Sequence, residues 1–228
     1  MNLKNVKYII LDMDGCCYHP RYLKTLFGQV SSRMTDFISL KLGIEKKKAK
    51  EIQREYFYKY DTSLNGLMKN YPDLIDGEEF LKYVHDINYD CLEKDTDLRE
   101  EMLKLDVKIY CATNGSKEHA ISCMKKIGID DLFYGKIMDI VDFKFKPKPN
   151  PKSLKLMCDK FKIPTNKETL YIEDIAKNLS SDTAKEMIKV WFINEEPINN
   201  IEKYKHIIDY KIDNLALFLK KIRLLKEE

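Results

Sequence analysis

Two aspartates, Asp12 and Asp14, follow a short apolar run near the amino terminus and are separated by one residue. Side chains alternate along a β-strand, so residues two apart at its end project to the same side. We therefore expect both carboxylates to face one small volume at the carboxyl end of a buried strand, where open α/β sheets bind ligands. Two negative charges this close require a cation or a shared proton. The pattern predicts a bound Mg²⁺ ion and a carboxylate nucleophile.

A second apolar run leads into groups that bind phosphate. The Thr113 hydroxyl and the Asn114 backbone N–H are donors suited to phosphate oxygens, and Gly115 allows the chain to turn sharply. Ser116 followed by Glu118 also fits an ordinary helix start. Taken alone, this segment leaves both interpretations open.

A proline-rich loop further along the chain contains Lys146 and Lys148. Prolines hold the backbone extended, so that one of these lysines can be fixed and pointed inward. Its ammonium group would keep a nucleophile ionised and bind a transferring phosphoryl group. A solvated basic loop is the alternative for this segment by itself.

Another apolar run ends in the adjacent carboxylates Glu173 and Asp174. Asp174 is predicted to complete an oxygen-ligand set for Mg²⁺ together with Asp12 and Asp14, with Glu173 acting through a metal-bound water. The start of a helix, where acidic residues are favoured by the helix dipole, is the alternative. The order of all four segments along the chain argues against coincidence.

The elements that must position these residues are short apolar runs alternating with longer amphipathic segments, a pattern typical of a parallel sheet with helices on both faces. The predicted strands span residues 6–11, 107–113, 136–141, 170–174, 190–194 and 207–212. The predicted helices between and after them span 117–127, 151–161, 176–188 and 214–225.

The first two predicted strands are separated by 95 residues, 12–106, which is too long for a simple crossover. Within them, residues 23–42, 46–60 and 78–90 are predicted to form helices. We therefore expect an all-helical cap at 16–96, inserted into an α/β core formed by 1–15 and 97–228.

The composition excludes several classes of protein. Charged residues make up 34% of the 228 residues, but the formal net charge is only +3, which gives little support for a nucleic-acid binder. The six cysteines lack the paired spacing of a zinc site. Neither a signal peptide nor a run of membrane-spanning length is present. We expect a soluble, cytoplasmic protein that binds neither membrane nor nucleic acid.

Several longer motifs resemble those of the haloacid dehalogenase superfamily, and within it the pyrimidine 5′-nucleotidase branch with its yeast-type members. They are DMDGCCYHP at residues 12–20, TNGSKEHA at 113–120, IGIDDLF at 127–133, KPNP at 148–151, and IED at 172–174 with Asn178. The resemblance implies a Rossmann-like core with a helical cap, dependence on Mg²⁺ and hydrolysis of phosphomonoesters.

The resemblance also implies roles for individual residues. Asp12 would attack phosphorus and form an aspartyl phosphate, while Asp14 would act as general acid and base and bind Mg²⁺ through its backbone carbonyl. An acid role favours a carboxyl whose pKa is raised by neighbouring negative charge, so we expect a raised pKa at Asp14. The register of the motif favours Lys148 over Lys146.

The predicted partner is a small phosphomonoester, with a nucleoside 5′-monophosphate as the preferred hypothesis. The cap tyrosines Tyr56, Tyr58 and Tyr60 could stack on a base or ribose, or pack within the cap. The alternatives are a phosphomutase, a phosphatase of sugar phosphates or lysophospholipids, and a binding module without turnover. The sequence leaves the oligomeric state open.

Overall fold

A parallel β-sheet is the central element of the computed structural model, which describes residues 3–193 and 201–228. Six strands of the described residues pair in the order β3-β2-β1-β4-β5-β6, and each neighbouring pair is parallel. Their bounds are β1 Tyr8–Leu11, β2 Lys108–Ala112, β3 Ile137–Met138, β4 Thr169–Glu173, β5 Ile188–Phe192 and β6 Tyr210–Ile212. This topology confirms the α/β class with a Rossmann-like core.

Several helices begin where a side chain accepts a hydrogen bond from a free backbone N–H group. Ser116, Asn150 and Asn214 each accept a hydrogen bond from the first turn of the helix that follows. Ser116 is thus a helix cap, as its sequence context allowed. In the described residues the helices are α1 Leu23–Leu42, α2 Lys46–Tyr60, α3 Ser63–Asn70, α4 Gly77–Val84, α5 Thr96–Lys104, α6 Lys117–Ile127, α7 Pro151–Phe161, α8 Ile201–Tyr204 and α9 Leu215–Glu227.

The central strands are buried on both faces of the sheet. Ile9 and Leu11 of β1 belong to one hydrophobic cluster with residues of α5, α6 and α9. Ile10, on the opposite face of the same strand, belongs to a second cluster with residues of α7. Because both faces are covered by helices, the ends of the strands are the part of the sheet left to bind a ligand.

Helices α1 to α4 pack around a third hydrophobic cluster, which includes Phe37 and Phe80 in edge-to-face contact with ring centroids 5.1 Å apart. A Cβ atom at Gly66 would lie 2.4 Å from the Cβ of Tyr56, so α3 approaches α2 more closely than any other residue would allow. Leu23 at the start of α1 packs instead with the first cluster, which contains Ile9 and Leu11 of the sheet. The division of the chain at 16–96 stays a prediction.

The boundaries of α1 and α2 are confirmed as predicted, but the helix expected at 176–188 is wrong. Two short 3₁₀ helices, Ala176–Ser180 and Asp182–Ala184, take its place, and Ile188 already belongs to β5. Leu179 and Met187 gave the segment its apolar spacing, and both fill the second cluster without a continuous helix.

Other predicted elements are longer than the observed ones. The strand expected at 136–141 contains only Ile137–Met138, because the Asp139 carboxylate accepts hydrogen bonds from two backbone N–H groups and turns the chain. The helix expected at 78–90 ends at Val84, and the strand expected at 207–212 begins at Tyr210. The strand expected at 190–194 begins at Ile188, and its last residue, Asn194, lies outside the described residues.

Helices α3, α5 and α8 were not predicted. Within residues 3–193 and 201–228, no helix combines the length and the apolar character needed to cross a bilayer.

Candidate active site

Three neighbouring strands end where the predicted reactive residues begin. Asp12 follows β1, Thr113 follows β2 and Asp174 follows β4, and β1 lies between the other two strands in the sheet. Because the strands are parallel, their carboxyl ends share one edge of the sheet. The Asp12 backbone N–H donates to the Ile172 carbonyl over 3.0 Å, which extends the β1–β4 pairing to the first aspartate.

Lys148 brings a buried positive charge to this edge. Its Nζ lies 2.6 Å from Asp12 Oδ1 and 2.7 Å from Glu173 Oε1, and its side chain is only 1% exposed. Burial, followed by the charge of Glu173, raises the pKa of Asp12 to about 7, although Lys148 opposes the rise. Burial alone would lower the pKa of Lys148, but the two carboxylates raise it above its ordinary value. Lys148 therefore stays protonated and favours the ionised form of Asp12.

Two further residues hold Lys148 in place. The Asn114 side chain accepts from the Lys148 backbone N–H at 2.8 Å and donates to its carbonyl at 3.2 Å. Glu173 accepts hydrogen bonds from the Tyr171 hydroxyl at 2.9 Å and from Asn178 Nδ2 at 3.1 Å. The Asn114 side chain is thus occupied by the lysine loop, which leaves its backbone N–H as the group predicted to bind phosphate.

Asp14 lies in a separate hydrogen-bonded chain. Its Oδ1 accepts from the Tyr18 hydroxyl at 2.8 Å and lies 2.9 Å from His119 Nε2. The other ring nitrogen of His119 lies 3.0 Å from the Tyr89 hydroxyl. His85 stacks on His119 with ring centroids 4.4 Å apart. These contacts fix the direction of the Asp14 carboxylate.

The expectation of a raised pKa at Asp14 is wrong. Burial does raise it, but the charge and hydrogen bond of His119 and the hydrogen bond of Tyr18 outweigh burial and lower the pKa. Burial and the charge of His119 also lower the pKa of His85, to about 3. The partners of Asp14 therefore favour its ionised form in the protein without substrate.

The carboxylates of Asp12 and Asp174 form a donor set that fits Mg²⁺. Together with the Cys16 thiol they offer three ligand atoms that all lie within 4.8 Å of one another. Burial and then the charges of Asp12 and Glu173 raise the pKa of Asp174 well above its ordinary value. A divalent cation would relieve this repulsion, and oxygen ligands are those that Mg²⁺ prefers. The soft sulfur of Cys16 is not needed for such a site.

Gly15 allows Asp174 to approach the first aspartates. Its φ of 77° lies in the left-handed region, and a Cβ atom there would lie 2.4 Å from Asp174 Oδ2. Any other residue at this position would strain the backbone and push the carboxylate away. The glycine after the second aspartate is therefore part of the geometry of the site.

A cavity of about 570 Å³ opens onto these groups and extends into helices α1 to α4. Asp12, Asp14, Thr113, Lys148 and Asp174 line the part of the cavity formed by the strand ends, which we call its inner end. Helices α1 to α3 form its outer part with apolar side chains, among them Phe27, Met34, Phe57 and Leu64, and with the charged side chains of Lys50 and Arg54. The reactive groups and a largely apolar helical wall thus face a single space of the size that binds small ligands.

A family model for haloacid dehalogenase-like hydrolases matches residues 6–181, which is most of the chain and contains every residue placed at the site above. The chain belongs to the haloacid dehalogenase-like hydrolases. This is the superfamily whose motifs the sequence resembles.

A yeast protein is similar to part of this chain. The hydrolase is 30% identical over 159 residues to phosphate metabolism protein 8 of Saccharomyces cerevisiae, a match that covers 64% of this chain and 49% of the yeast protein. The match therefore spans about half of the length of that relative.

Two solved structures show the same fold. A HAD phosphatase from Thermococcus onnurineus has a TM-score of 0.58 and 24% identity, with coverage of 95% of this chain and 97% of the other. The HAD-hydrolase YfnB of Bacillus subtilis, bound to magnesium, has a TM-score of 0.57 and 16% identity, with coverage of 98% and 99%.

The structure brings together every site residue that the sequence of this hydrolase predicted. Lys146, the alternative to Lys148, is exposed, whereas Lys148 is buried against Asp12. The contact of His119 and Tyr18 with Asp14 was not predicted. Both residues stand in motifs quoted above, but nothing in their spacing indicates that they meet.

Proposed function

We propose that this hydrolase is a Mg²⁺-dependent phosphatase of small phosphomonoesters, with a nucleoside 5′-monophosphate as substrate. The observation that carries the proposal is the Lys148–Asp12 contact of 2.6 Å beside Asp174, at the inner end of a ligand-sized cavity. A buried carboxylate whose ionised form is favoured by a neighbouring lysine, and which faces a cavity, is a suitable nucleophile.

The proposed reaction has two steps. An Asp12 carboxylate oxygen bonds to phosphorus while the bond to the leaving oxygen breaks, and Asp14 donates a proton to the alkoxide. Asp14 then takes a proton from water, whose oxygen attacks the aspartyl phosphate and releases inorganic phosphate and free Asp12. Phosphoryl transfer of this kind depends chiefly on positioning and on neutralising charge.

Each residue of the site has a task in this scheme. Lys148 and the Thr113 hydroxyl bind phosphoryl oxygens, together with the Asn114 backbone N–H. Asp12 and Asp174 would hold Mg²⁺ with the Asp14 backbone carbonyl, and the ion would supply positive charge beside the phosphoryl group. His119 and Tyr18 orient Asp14, and a dianionic substrate beside that carboxyl raises its pKa toward the value an acid needs. We assign Glu173 chiefly to holding Lys148, because that lysine, Tyr171 and Asn178 engage its oxygens.

Two observations support a nucleotide. The cavity has room for a base and a ribose beyond the phosphate, and Phe57 and Tyr58 supply aromatic rings in its outer part. Tyr56 and Tyr60 instead pack in edge-to-face contact with each other. The motifs of the pyrimidine 5′-nucleotidase branch agree with this choice.

The test is release of phosphate from nucleoside 5′-monophosphates, sugar phosphates and lysophospholipids by the purified protein with Mg²⁺. We expect the highest kcat/KM with a nucleotide. Preference for another class would replace the substrate and leave the chemistry standing. Retention of the phosphoryl group on a product would indicate a mutase, and phosphorylated Asp12 that persists without release would indicate a binding module.

A further inference from the structure

Three polar side chains of α1 and α2 line the outer part of the cavity, and a fourth is hydrogen-bonded to them. Ser31 and Thr35 of α1 and Lys50 and Gln53 of α2 form one hydrogen-bonded group, which we call the distal polar cluster. Ser31, Lys50 and Gln53 line the same cavity as the nucleophile. Polar groups on an apolar wall are placed where a ligand needs orientation.

Gln53 has no hydrogen-bonding capacity left for a ligand. Its Oε1 accepts from the Thr35 hydroxyl at 2.8 Å and from Lys50 Nζ at 3.4 Å. Its Nε2 donates to Ser31 Oγ at 3.0 Å and contacts Met34 Sδ at 3.4 Å. The buried amide therefore serves to orient its neighbours.

Lys50 retains a donor. An ammonium group carries three N–H bonds, and the contacts of Lys50 Nζ are with Ser31 Oγ and Gln53 Oε1. Among residues 3–193 and 201–228 it forms no ion pair with a carboxylate. One N–H bond of Lys50 is thus available to a molecule in the cavity.

The surroundings of Lys50 make it energetically unfavourable to leave this N–H group without a hydrogen-bond acceptor. Partial burial, followed by the positive charge of Arg54, lowers the pKa of Lys50. Arg54 lines the same cavity. A hydrogen-bond acceptor from a ligand would offset the lost hydration.

We propose that Lys50, held by Gln53 and Ser31, binds a carbonyl oxygen on the base of the substrate, at the end remote from the phosphate. This inference rests on the proposed function and deepens it, because it names a phosphomonoester with an acceptor-bearing base as the substrate class. Lysine donates hydrogen bonds and accepts none. The cluster therefore selects for a hydrogen-bond acceptor at this point, such as a carbonyl oxygen.

The test compares two phosphomonoesters with the same leaving oxygen. Uridine 5′-monophosphate carries a base with two carbonyl oxygens, and ribose 5-phosphate carries no base. We expect wild-type protein to prefer the nucleotide. Lys50→Met should lower kcat/KM for the nucleotide by about 10- to 100-fold, the usual value of a hydrogen bond to a charged group. It should change kcat/KM for ribose 5-phosphate by less than about twofold.

Two further variants make the comparison specific. Lys50→Arg keeps a cationic donor and should retain more activity toward the nucleotide than Lys50→Met. Lys47→Met removes an exposed lysine of the same helix and should match wild type with both substrates. Calorimetry with uridine 5′-monophosphate in an Asp12→Asn background gives a readout without turnover, in which Lys50→Met should weaken binding.

The outcomes separate this inference from the proposed function. Phosphate release from neither substrate, nor from any other phosphomonoester, would reject the proposed function. Equal kcat/KM for both substrates in wild type, equal losses for both in Lys50→Met, or unchanged binding in calorimetry would overturn the role of Lys50 alone.

Discussion

Replacing Lys148 by methionine removes its ammonium group and keeps most of the side-chain length. Lys148 Nζ lies 2.6 Å from Asp12 and 2.7 Å from Glu173 in a site where its side chain is 1% exposed. Breaking a buried ion pair leaves unpaired charge and costs about 3–5 kcal/mol of unfolding free energy. For a chain of this length that corresponds to a fall of about 6–20 °C in Tm.

A second substitution separates stability from catalysis. Glu173→Gln, added to Lys148→Met, removes one of the two carboxylates that the lysine neutralised, and the amide oxygen can still accept from Tyr171. We expect part of the lost stability to return. Turnover should stay at least about 10²-fold below wild type, because the ammonium group that binds the phosphoryl group is still missing.

The assay has two parts: urea unfolding monitored by circular dichroism, and release of phosphate from the best substrate. Lys146→Met is the matched control, since that exposed lysine lies two residues away in the same loop. It should change the unfolding free energy by less than about 0.5 kcal/mol and leave turnover unchanged. Recovery of turnover in the double variant would show that Lys148 acts only on stability. A larger loss of turnover in Lys146→Met than in Lys148→Met would refute the assignment of Lys148, rather than Lys146, to the site.

Four more outcomes are expected. Asp12→Asn should reduce phosphate release to background with an unchanged circular dichroism spectrum, and substantial residual release would argue against Asp12 as the nucleophile. A chelator should stop phosphate release by the wild-type protein until Mg²⁺ is restored, and release that continues with the chelator would argue against the metal. His119→Asn should lower kcat by at least about tenfold with little change in KM, because Asp14 loses one of its orienting contacts; an unchanged kcat, measured at saturating substrate, would remove His119 from the scheme. The hydrogen bond from Arg223 lowers the pKa of Glu101 below its ordinary value of 4.5. The pair therefore stabilises the folded protein above pH 4.5, and this contribution is lost as the pH falls through the lowered pKa. Glu101→Gln should therefore flatten the dependence of Tm on acidic pH, and parallel curves would contradict the assignment.

Local patterns in the sequence predicted the elements that depend on local interactions. Helices α1 and α2 have the predicted bounds, because their apolar spacing and their ends are read from adjacent residues. The segment 176–188 has similar spacing but no continuous helix. Its apolar residues are held by the cluster on one face of the sheet, and its Asn178 side chain bonds to Glu173. Packing against distant strands decided its conformation, which local spacing does not report.

The sequence by itself determined that carboxylates follow two buried runs, that a hydroxyl follows a third, and that a lysine stands among prolines. The tertiary structure alone decided which of these groups meet. Lys148 contacts Asp12 across 136 positions of the chain, and His119 contacts Asp14 across 105. The order of the parallel strands brings these distant residues together, and the pKa of each buried acid depends on its neighbours in space. For this reason the sequence identified Asp14, but only the fold showed that His119 and Tyr18 lower its pKa.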